Sequence, residues 1–417
     1  MRVLISAFAC QPGLGSEAKV GWDAANVIAQ LHECHVVTHV MAQPAIKEAQ
    51  RLGNGAALQF HYFGKPFNWH PSRTVARMQS WLIYRKWQAS LLPFALELHR
   101  RHKFDIAHHV TYASWRIPSR LWRLGIPFVF GPIGGGSTTP PAFRSMLGRS
   151  ARAFEFLRDT TTAFSAQSHE LRLCFHNAAA VLAADSQTAD FLARHGTEQV
   201  HRLCQVFFSE KAASKFMIAA RKDSSDATVL RIFSGGNLEG RKGTQLSLRA
   251  LAVLKGKGIP FSYTYGGWGP DLNAMKLLAE RLGIAKNVWF HEGFSGLEYA
   301  QRLAASDVYL LPSIRETAGI TMMEAMLAGC YPIVLAGTGA GDIVQRTGGA
   351  AIKADSPENA VRGIVDRLEW CYRHRNEMRQ EAGIAGAKIR SLYSDKSYQS
   401  FMAEIYTEAI EKHRQTP

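Results

Sequence analysis

Short apolar runs alternate with helical stretches along the first half of the chain. Each run has the length and the β-rich composition of a buried strand. The predicted strands are 2–9, 34–39, 58–63, 105–110, 127–130 and 180–184. Helical patterns separate several of them, for example over 16–31 and 79–101. Alternation of strand and helix indicates a mostly parallel, doubly wound sheet.

A second alternating series begins after a polar, charged segment at 211–226, which is predicted to be a linker. Its predicted strands are 229–234, 261–265, 287–290, 307–311, 332–335 and 350–353. The fold class is therefore α/β, with two Rossmann-like doubly wound domains facing each other across a cleft. We place the first domain at 1–210, the second at 227–390, and a C-terminal helical segment at 391–417.

The loop after the strand at 307–311 is the candidate ligand site. Open α/β sheets bind ligands where a strand ends and a helix begins, because free N–H groups and the helix dipole favour anions there. Glu316 lies in this loop, Thr321 is the predicted N-cap, and Gly329 ends the helix. Glu324 has two interpretations. It either binds a ligand hydroxyl or completes a capping box with Thr321.

Further candidate residues follow other predicted strand ends. Gly13 and Gly15 lie in a glycine loop after the first strand, and a tight turn explains them equally well. His109 closes the strand at 105–110 and either binds a substrate hydroxyl or serves as a structural histidine. In the second half, Arg241 and Lys242 form an adjacent pair of cations at a strand-to-helix turn, which suits an anion. Gly267 lies in a glycine turn that either approaches a ligand or turns the chain.

Composition favours an intracellular enzyme. The six cysteines are scattered with no CxxC pair, which favours free thiols over disulfides or zinc. The longest apolar runs are too short to cross a bilayer, and the N-terminus begins as a strand and does not resemble a signal peptide. The net charge of +15 suits phosphorylated substrates, an anionic membrane surface or nucleic acid.

The charge is concentrated in one aromatic segment, 65–103. It contains eight Lys or Arg residues against one acid, Glu97, together with Trp69, Trp81, Tyr84 and Trp87. Basic residues interleaved with aromatics on predicted helices indicate contact with a membrane interface more naturally than sequence-specific binding of nucleic acid. The alternative is a solvated basic face whose aromatics lie in the core.

Spaced motifs recur along both halves of the chain. The second-half motifs are Glu316-x7-Glu324, Lys242-Gly243 and Gly267-x-Gly269-Pro270. The first-half motifs are Gly13-Leu14-Gly15-Ser16-Glu17, Gly21-Trp22, His109-x-Thr111, Arg116-x-Pro118 and Gly131-Pro132-x-Gly134-Gly135. Together they cover nearly the whole chain and resemble the family 4 retaining glycosyltransferases of the GT-B fold, in the branch that builds bacterial exopolysaccharides and envelope glycans.

The resemblance implies an acceptor-binding first domain, a second domain that binds a UDP- or GDP-sugar, and a C-terminal helix that crosses back. It implies catalytic roles for His109 at the donor sugar, Lys242 at the leaving diphosphate and Glu316 at the sugar hydroxyls. Glu324 would bind the ribose. The donor-binding residues that it implies are Gly13, Gly15, Arg241, Lys242, Gly267, Gly319, Ile320, Thr321 and Glu324.

One position departs from the family pattern. The family has an Arg five residues before the Lys, whereas this chain has Asn237, which carries no charge for a diphosphate. Arg241 either compensates or leaves the diphosphate less well stabilised. There is no Asp-x-Asp pair, and we expect neither a metal nor a cofactor.

The activity expected is transfer of a hexose from a nucleotide sugar to a lipid-linked or envelope polysaccharide acceptor. We expect the protein to lie in the cytoplasm, with peripheral contact at the inner face of the plasma membrane. We expect no nucleic-acid partner. The alternatives are a transferase with a small soluble acceptor, a nucleotide-sugar epimerase, and a catalytically silent nucleotide-sugar binder.

Overall fold

Two all-parallel sheets organise the chain. The computed structural model describes residues 1–15, 17–68, 70–197, 199–219 and 228–415. The first sheet contains β1 (Arg2–Ala7), β2 (Glu33–His39), β3 (Leu58–Phe63), β4 (Ile106–Thr111), β5 (Phe128–Ile133), β6 (Ala180–Ala183) and β7 (Val200–Arg202). The second contains β8 (Leu230–Gly235), β9 (Phe261–Gly266), β10 (Val288–His291), β11 (Val308–Leu311), β12 (Tyr331–Leu335) and β13 (Ala350–Ile352).

The strand orders are those of doubly wound sheets. The first sheet runs β3-β2-β1-β4-β5-β6-β7 and the second β10-β9-β8-β11-β12-β13. Central strands such as β4 and β11 are buried along their whole length, because helices cover both faces of a parallel sheet. The prediction of two Rossmann-like domains is confirmed. All twelve predicted strands are present, with ends within three residues of those predicted.

Fifteen α-helices connect and cover the strands within the described residues. They are α1 (Glu17–Ile28), α2 (Gln43–Arg51), α3 (Arg73–His102), α4 (Arg149–Ala166), α5 (His169–His176), α6 (Ser186–Arg194), α7 (Glu210–Ala219), α8 (Thr244–Gly256), α9 (Leu272–Arg281), α10 (Gly296–Ala304), α11 (Ile320–Leu327), α12 (Gly339–Thr347), α13 (Pro357–Arg373), α14 (Arg375–Leu392) and α15 (Asp395–Gln415).

The sequence interpretation missed β7. This edge strand has three residues, Val200–Arg202, and all are at least partly exposed. A strand this short has no apolar run for a pattern to detect.

The predicted linker begins inside helix α7. That helix packs against α10 and α11, so residues 210–219 belong structurally with the second sheet. Residues 220–226, the rest of the predicted linker, lie outside the described residues, as do Ser16 of the first glycine motif and Trp69 of the aromatic segment.

The last helix returns to the first domain. In α15, the Gln399 side chain donates to the carbonyl of Val27 in α1 at 3.3 Å. The Tyr406 hydroxyl lies 2.7 Å from Nδ1 of His108 on β4. Both contacts join residues more than 290 positions apart in sequence, so the end of the chain ties the two domains together.

Two further contacts link the domains directly. Phe143 and Leu147, which precede α4, are buried in the core of the second domain. On another side, the backbone N–H and the hydroxyl of Ser186 both donate to the Asp342 carboxylate at 2.8 Å. These contacts fix the relative position of the two walls of the cleft.

Candidate active site in the interdomain cleft

A cavity of about 510 Å³ lies between the two domains. The first domain contributes the start of α1 and the loops that follow β4 and β5. The second domain contributes the turn after β8 and the loop after β11. Its lining residues, drawn from both domains, include Glu17, Lys19, Asp23, Ser114, Arg116, Gln205, Arg241, Arg315, Glu316 and Gly319. Parallel sheets meet ligands at the carboxyl ends of their strands, and every wall of this cavity except the α1 face follows a strand end.

The loop between β11 and α11 forms the second-domain wall. Gly319 has a φ of 75°, a left-handed conformation that glycine adopts without strain, and it is the N-cap of α11. The predicted N-cap, Thr321, is wrong, because the helix already begins at Ile320. The Thr321 hydroxyl instead accepts a hydrogen bond from Tyr309 at 2.7 Å. Gly319 and Ile320 line the cavity, and Thr321 supports the loop from behind.

Glu316 and Lys242 form an ion pair at this wall. Lys242 Nζ lies 2.5 Å from Glu316 Oε2, and only 11% and 12% of the two side chains are exposed. Burial alone would raise the pKa of Glu316, but Lys242 and the more distant Arg241 outweigh burial and lower it. Glu316 is therefore ionised at neutral pH, and it lines the cavity beside a fixed cation.

Arg241 lines the cavity but is partly neutralised. Its guanidinium lies 2.7 Å from Glu239 and 3.9 Å from Glu316. Asn237 is exposed, and its amide also donates to Glu239, at 3.2 Å. The Arg241 charge can serve an anion in the cleft only if the anion competes with these two carboxylates.

Glu324 lies in the second turn of α11, away from the helix start. The capping-box interpretation is wrong, because that role needs the third helical position and the helix begins at Ile320. Burial raises the pKa of Glu324 to about 7, although the nearby Tyr299 hydroxyl and the charge of Lys19 lower it. Lys19 itself lines the cavity, so the Glu324 carboxyl is electrostatically coupled to the cleft.

The predicted contact between His109 and a donor sugar is not supported. The side chain is fully buried, and Nδ1 lies 3.3 Å from the Ser6 hydroxyl and 3.1 Å from the Gln88 amide. Nε2 lies 3.1 Å from the Tyr84 hydroxyl and 3.2 Å from the Tyr112 carbonyl. Both ring nitrogens are occupied, so His109 is a structural residue that holds the turn leading to the cleft.

The predicted glycines differ in their surroundings. Gly13 and Gly15 are exposed and do not line the cavity, although Glu17 just after them does. Gly267 allows two turns to approach each other, because a Cβ there would lie 2.0 Å from the carbonyl oxygen of Gly236. Packing therefore accounts for Gly267. Donor contacts for these three glycines remain predictions.

The sequence interpretation assigned no site role to a largely buried network of arginines beside the cleft. Arg315, next to Glu316, donates to Glu155 of α4 at 2.7 Å and so joins the two domains. Arg116 and Arg158 both donate to the Gly135 carbonyl, at 2.8 and 3.1 Å. Burial lowers the pKa of each of these two guanidinium groups to about 10, so both stay charged at neutral pH. The sequence signals for this network were the Arg116-x-Pro118 motif and the adjacency of Arg315 to Glu316.

Solved structures share this two-domain arrangement over the whole chain. The lipopolysaccharide outer core galactosyltransferase WaaB superposes with a TM-score of 0.65, covering 99% of each chain at 14% identity. HepE of Anabaena, in complex with UDP and glucose, gives a TM-score of 0.61 over 98% of this chain and 99% of its own, also at 14% identity. The chain has the GT-B fold. At this identity the likeness establishes the fold alone.

The family model and the sequence relatives each match part of this GT-B chain. Residues 219–384 match the family described as Glycosyl transferases group 1. The D-inositol 3-phosphate glycosyltransferase of Streptomyces griseus is 27% identical over 217 residues, which cover 49% of this chain and 44% of the relative. The lipopolysaccharide glucosyltransferase WaaG of Escherichia coli is 29% identical over 159 residues, covering 36% and 41% respectively. The chain thus spans less than half the length of these curated relatives.

Proposed function

We propose that this protein is a retaining glycosyltransferase that moves a hexose from a UDP- or GDP-sugar to a lipid-linked or envelope polysaccharide acceptor, without a metal. The observation that carries the proposal is the Lys242–Glu316 ion pair, whose side chains are only 11% and 12% exposed and whose Glu316 lines the interdomain cavity just before α11. In the proposal this cation, this carboxylate and the amides at the start of α11 serve one ligand.

The cationic side of the site suits a diphosphate leaving group. Departure of a nucleoside diphosphate develops negative charge on phosphate oxygens, and groups already fixed in place stabilise that charge best. Lys242 supplies a full charge, and the amides at Gly319 and Ile320 supply the positive end of the α11 dipole. Arg241 adds its charge once it leaves Glu239.

The acidic side suits the sugars at the two ends of the diphosphate. Carboxylates accept hydrogen bonds from hydroxyl pairs. In the proposal Glu316 binds hydroxyls of the donor hexose and Glu324 binds the ribose. Glu316 now pairs with Lys242, so a donor replaces that ion pair with two new contacts, diphosphate on the lysine and hydroxyls on the acid.

The proposed reaction needs no enzymatic nucleophile. The bond between the anomeric carbon and the leaving phosphate oxygen breaks while the acceptor oxygen attacks from the same face. The proton of the acceptor hydroxyl passes to the leaving phosphate oxygen, which balances charge and atoms. The anomeric configuration is retained, and the products are a glycosylated acceptor and a free nucleoside diphosphate.

The exposed face of α3 supports the proposal of a lipid-linked acceptor. Val75, Met78, Trp81 and Leu82 are between 43% and 63% exposed, whereas Tyr84 and Trp87 are buried in the core. Among the described residues, the basic–aromatic segment is therefore divided: the first turns of α3 offer apolar side chains to a membrane interface, whereas Tyr84 and Trp87 face the core.

This exposed part of α3 lies next to the cleft wall. The Ser80 hydroxyl of α3 is 3.1 Å from that of Tyr112. One residue further on, Ala113 lines the cavity and donates its N–H to Glu17 at 3.1 Å. A helix resting on a membrane would thus bring the cleft close to a lipid-linked acceptor. No helix in the described part of the chain has the length and apolar character to cross a bilayer. We propose that the protein lies in the cytoplasm and touches the inner face of the membrane.

A silent nucleotide-sugar binder is the second candidate, because Asn237 carries no charge and Glu239 holds Arg241. Product analysis separates the candidates, using UDP- and GDP-sugars with a membrane lipid extract and a chelator. Transfer releases nucleoside diphosphate and labels the lipid fraction. An epimerase gives a new nucleotide sugar, and a small-acceptor transferase labels only the aqueous fraction. Binding without any of these products would leave the silent binder.

A further inference from the structure

Three histidines converge at the edge of the first sheet, and none of them lines the cavity. His35 lies on β2, His61 on the edge strand β3, and His102 is the last residue of α3. Each histidine offers one ring nitrogen, and these three nitrogens all lie within 4.8 Å of one another. The closest pair is His35 Nδ1 and His61 Nε2, at 3.0 Å. The proposed transferase activity uses none of the three.

The fold brings these rings together through strand register. His61 pairs with Val37, two positions after His35, so both histidines point to the same face of the parallel pair. Helix α3 crosses that face and ends at His102, whose ring centroid lies 4.3 Å from that of His35. The rings of Phe104 and His35 pack in a T-shaped arrangement, with 5.1 Å between their centroids.

A carboxylate orients the innermost ring from outside the cluster. His35 Nε2 lies 3.4 Å from Glu33 Oε1, and Arg2 holds the other Glu33 oxygen at 3.2 Å. When Nε2–H donates to Glu33, the Nδ1 lone pair points towards His61. Histidines that bind metals in proteins are oriented by this same kind of carboxylate contact on the far nitrogen. The cluster therefore contains three neighbouring rings together with a carboxylate that orients one of them.

We propose that His35, His61 and His102 bind one divalent transition-metal ion of the zinc type, with water at the remaining position. Imidazole nitrogens suit Zn²⁺, Cu²⁺ and Ni²⁺, and a Zn–N bond is about 2.0–2.1 Å long. Tetrahedral geometry then sets the nitrogens about 3.3 Å apart, near the observed 3.0 Å pair. The ion takes the place of the proton between His35 and His61, and that proton moves to Nδ1 of His61.

The bound ion would tie three elements together at the edge of the sheet. It would connect β2, the edge strand β3 and the C-terminal end of α3, the helix proposed to rest on the membrane. Strand β3 is an edge strand and pairs with a neighbour on one side only. The expected consequence is a rise in thermal stability on binding, with no step of sugar transfer depending on the ion.

The test is a titration of the untagged 417-residue chain with Co²⁺, followed by Zn²⁺. We expect one Co²⁺ per chain, with the visible absorption of a low-coordinate site, which Zn²⁺ abolishes. Each titration is paired with a thermal melt. His35 is fully buried, so the diagnostic variants are His61→Ala and His102→Ala, whose side chains are partly exposed. His413→Ala, on the exposed end of α15, is the matched control.

The expected outcome is loss of the absorption and of the metal-dependent melting shift in both diagnostic variants, with both retained in the control. Glu33→Ala is expected to weaken the affinity about 10- to 100-fold, as removal of an orienting partner does. If wild-type protein takes up no more Co²⁺ than His61→Ala, or if His413→Ala loses as much as His102→Ala, the proposal is wrong and the cluster is a hydrogen-bonded structural trio.

Discussion

The pKa of Glu324 predicts how donor affinity changes with pH. In the free protein, burial raises this pKa to about 7. A carboxylate that accepts hydrogen bonds from two ribose hydroxyls must be ionised, so donor binding competes with a proton at Glu324. Each of the two phosphates of a nucleotide sugar has one ester bond, one anhydride bond and one strongly acidic hydroxyl, so both stay charged over the same range. Glu316, whose pKa lies below its usual range, stays ionised as well.

The size of the effect follows from the pKa alone. For a group that must lose its proton first, the observed Kd exceeds its limiting value by about 2-fold at pH 7 and about 11-fold at pH 6, but by only ~1.1-fold at pH 8. Between pH 8 and pH 6 the affinity therefore falls about 10-fold, or ~1.4 kcal/mol. Without the pKa shift, an ordinary glutamate would give almost no change above pH 6.

The assay is calorimetric titration of one nucleotide sugar from pH 5.5 to 8.5, at constant ionic strength. Glu324→Gln is the matched variant, because it keeps the shape of the side chain and cannot titrate. Asp185, whose pKa burial raises to about 6, is present in both proteins and cancels in the comparison. We expect a pH-dependent Kd in the wild type and a weaker, nearly flat Kd in the variant. Equal pH profiles in the two proteins would remove Glu324 from the donor site.

Three further predictions rest on the same residues. Replacing Lys242 by Ala should lower kcat ~10²–10³-fold with a smaller change in donor Kd, whereas the exposed Lys257→Ala should change neither; a loss confined to Kd would contradict a role at the leaving group. Because the pKa of Glu324 is raised, its favourable contribution to folding is present below pH 4.5 and is lost as the pH rises through about 7. In urea denaturation, Glu324→Gln should therefore raise the free energy of unfolding by up to ~3 kcal/mol at pH 8 and by little at pH 4.5. Equal gains at both pH values would contradict the raised pKa. Anionic vesicles should sediment the protein at low salt but not at high salt, with Trp81→Ser weakened and Trp289→Ser unchanged; sedimentation that is insensitive to Trp81 would exclude α3 as the contact.

The sequence was sufficient where one local pattern determined the structure. Strand β11 is a short apolar run between polar residues, and Gly329 ends α11 with a φ of 87°. Glu316 and Lys242 were both predicted at strand ends, and parallel topology alone brings such ends together. Their 2.5 Å contact, over 74 positions of sequence, follows from the order of β8 and β11 in the sheet.

The sequence was insufficient where two local choices had similar energies or where a partner lay on a distant element of the chain. Thr321 and Gly319 can each begin a helix, and the left-handed turn at Gly319 decides in favour of the glycine. The Tyr309 hydroxyl, available only after folding, then takes the Thr321 side chain. His109 follows a strand end as the active-site residues do, yet partners from β1 and α3 enclose it. No pattern along the chain shows such enclosure.

A crystal of this protein soaked with the nucleotide sugar that stabilises it most would show where the donor binds. We expect the diphosphate between the Lys242 ammonium and the amides at the start of α11, with Glu316 on the hexose and Glu324 on the ribose. Density for the nucleotide elsewhere, or a diphosphate with Lys242 still paired to Glu316 and out of reach, would contradict this placement.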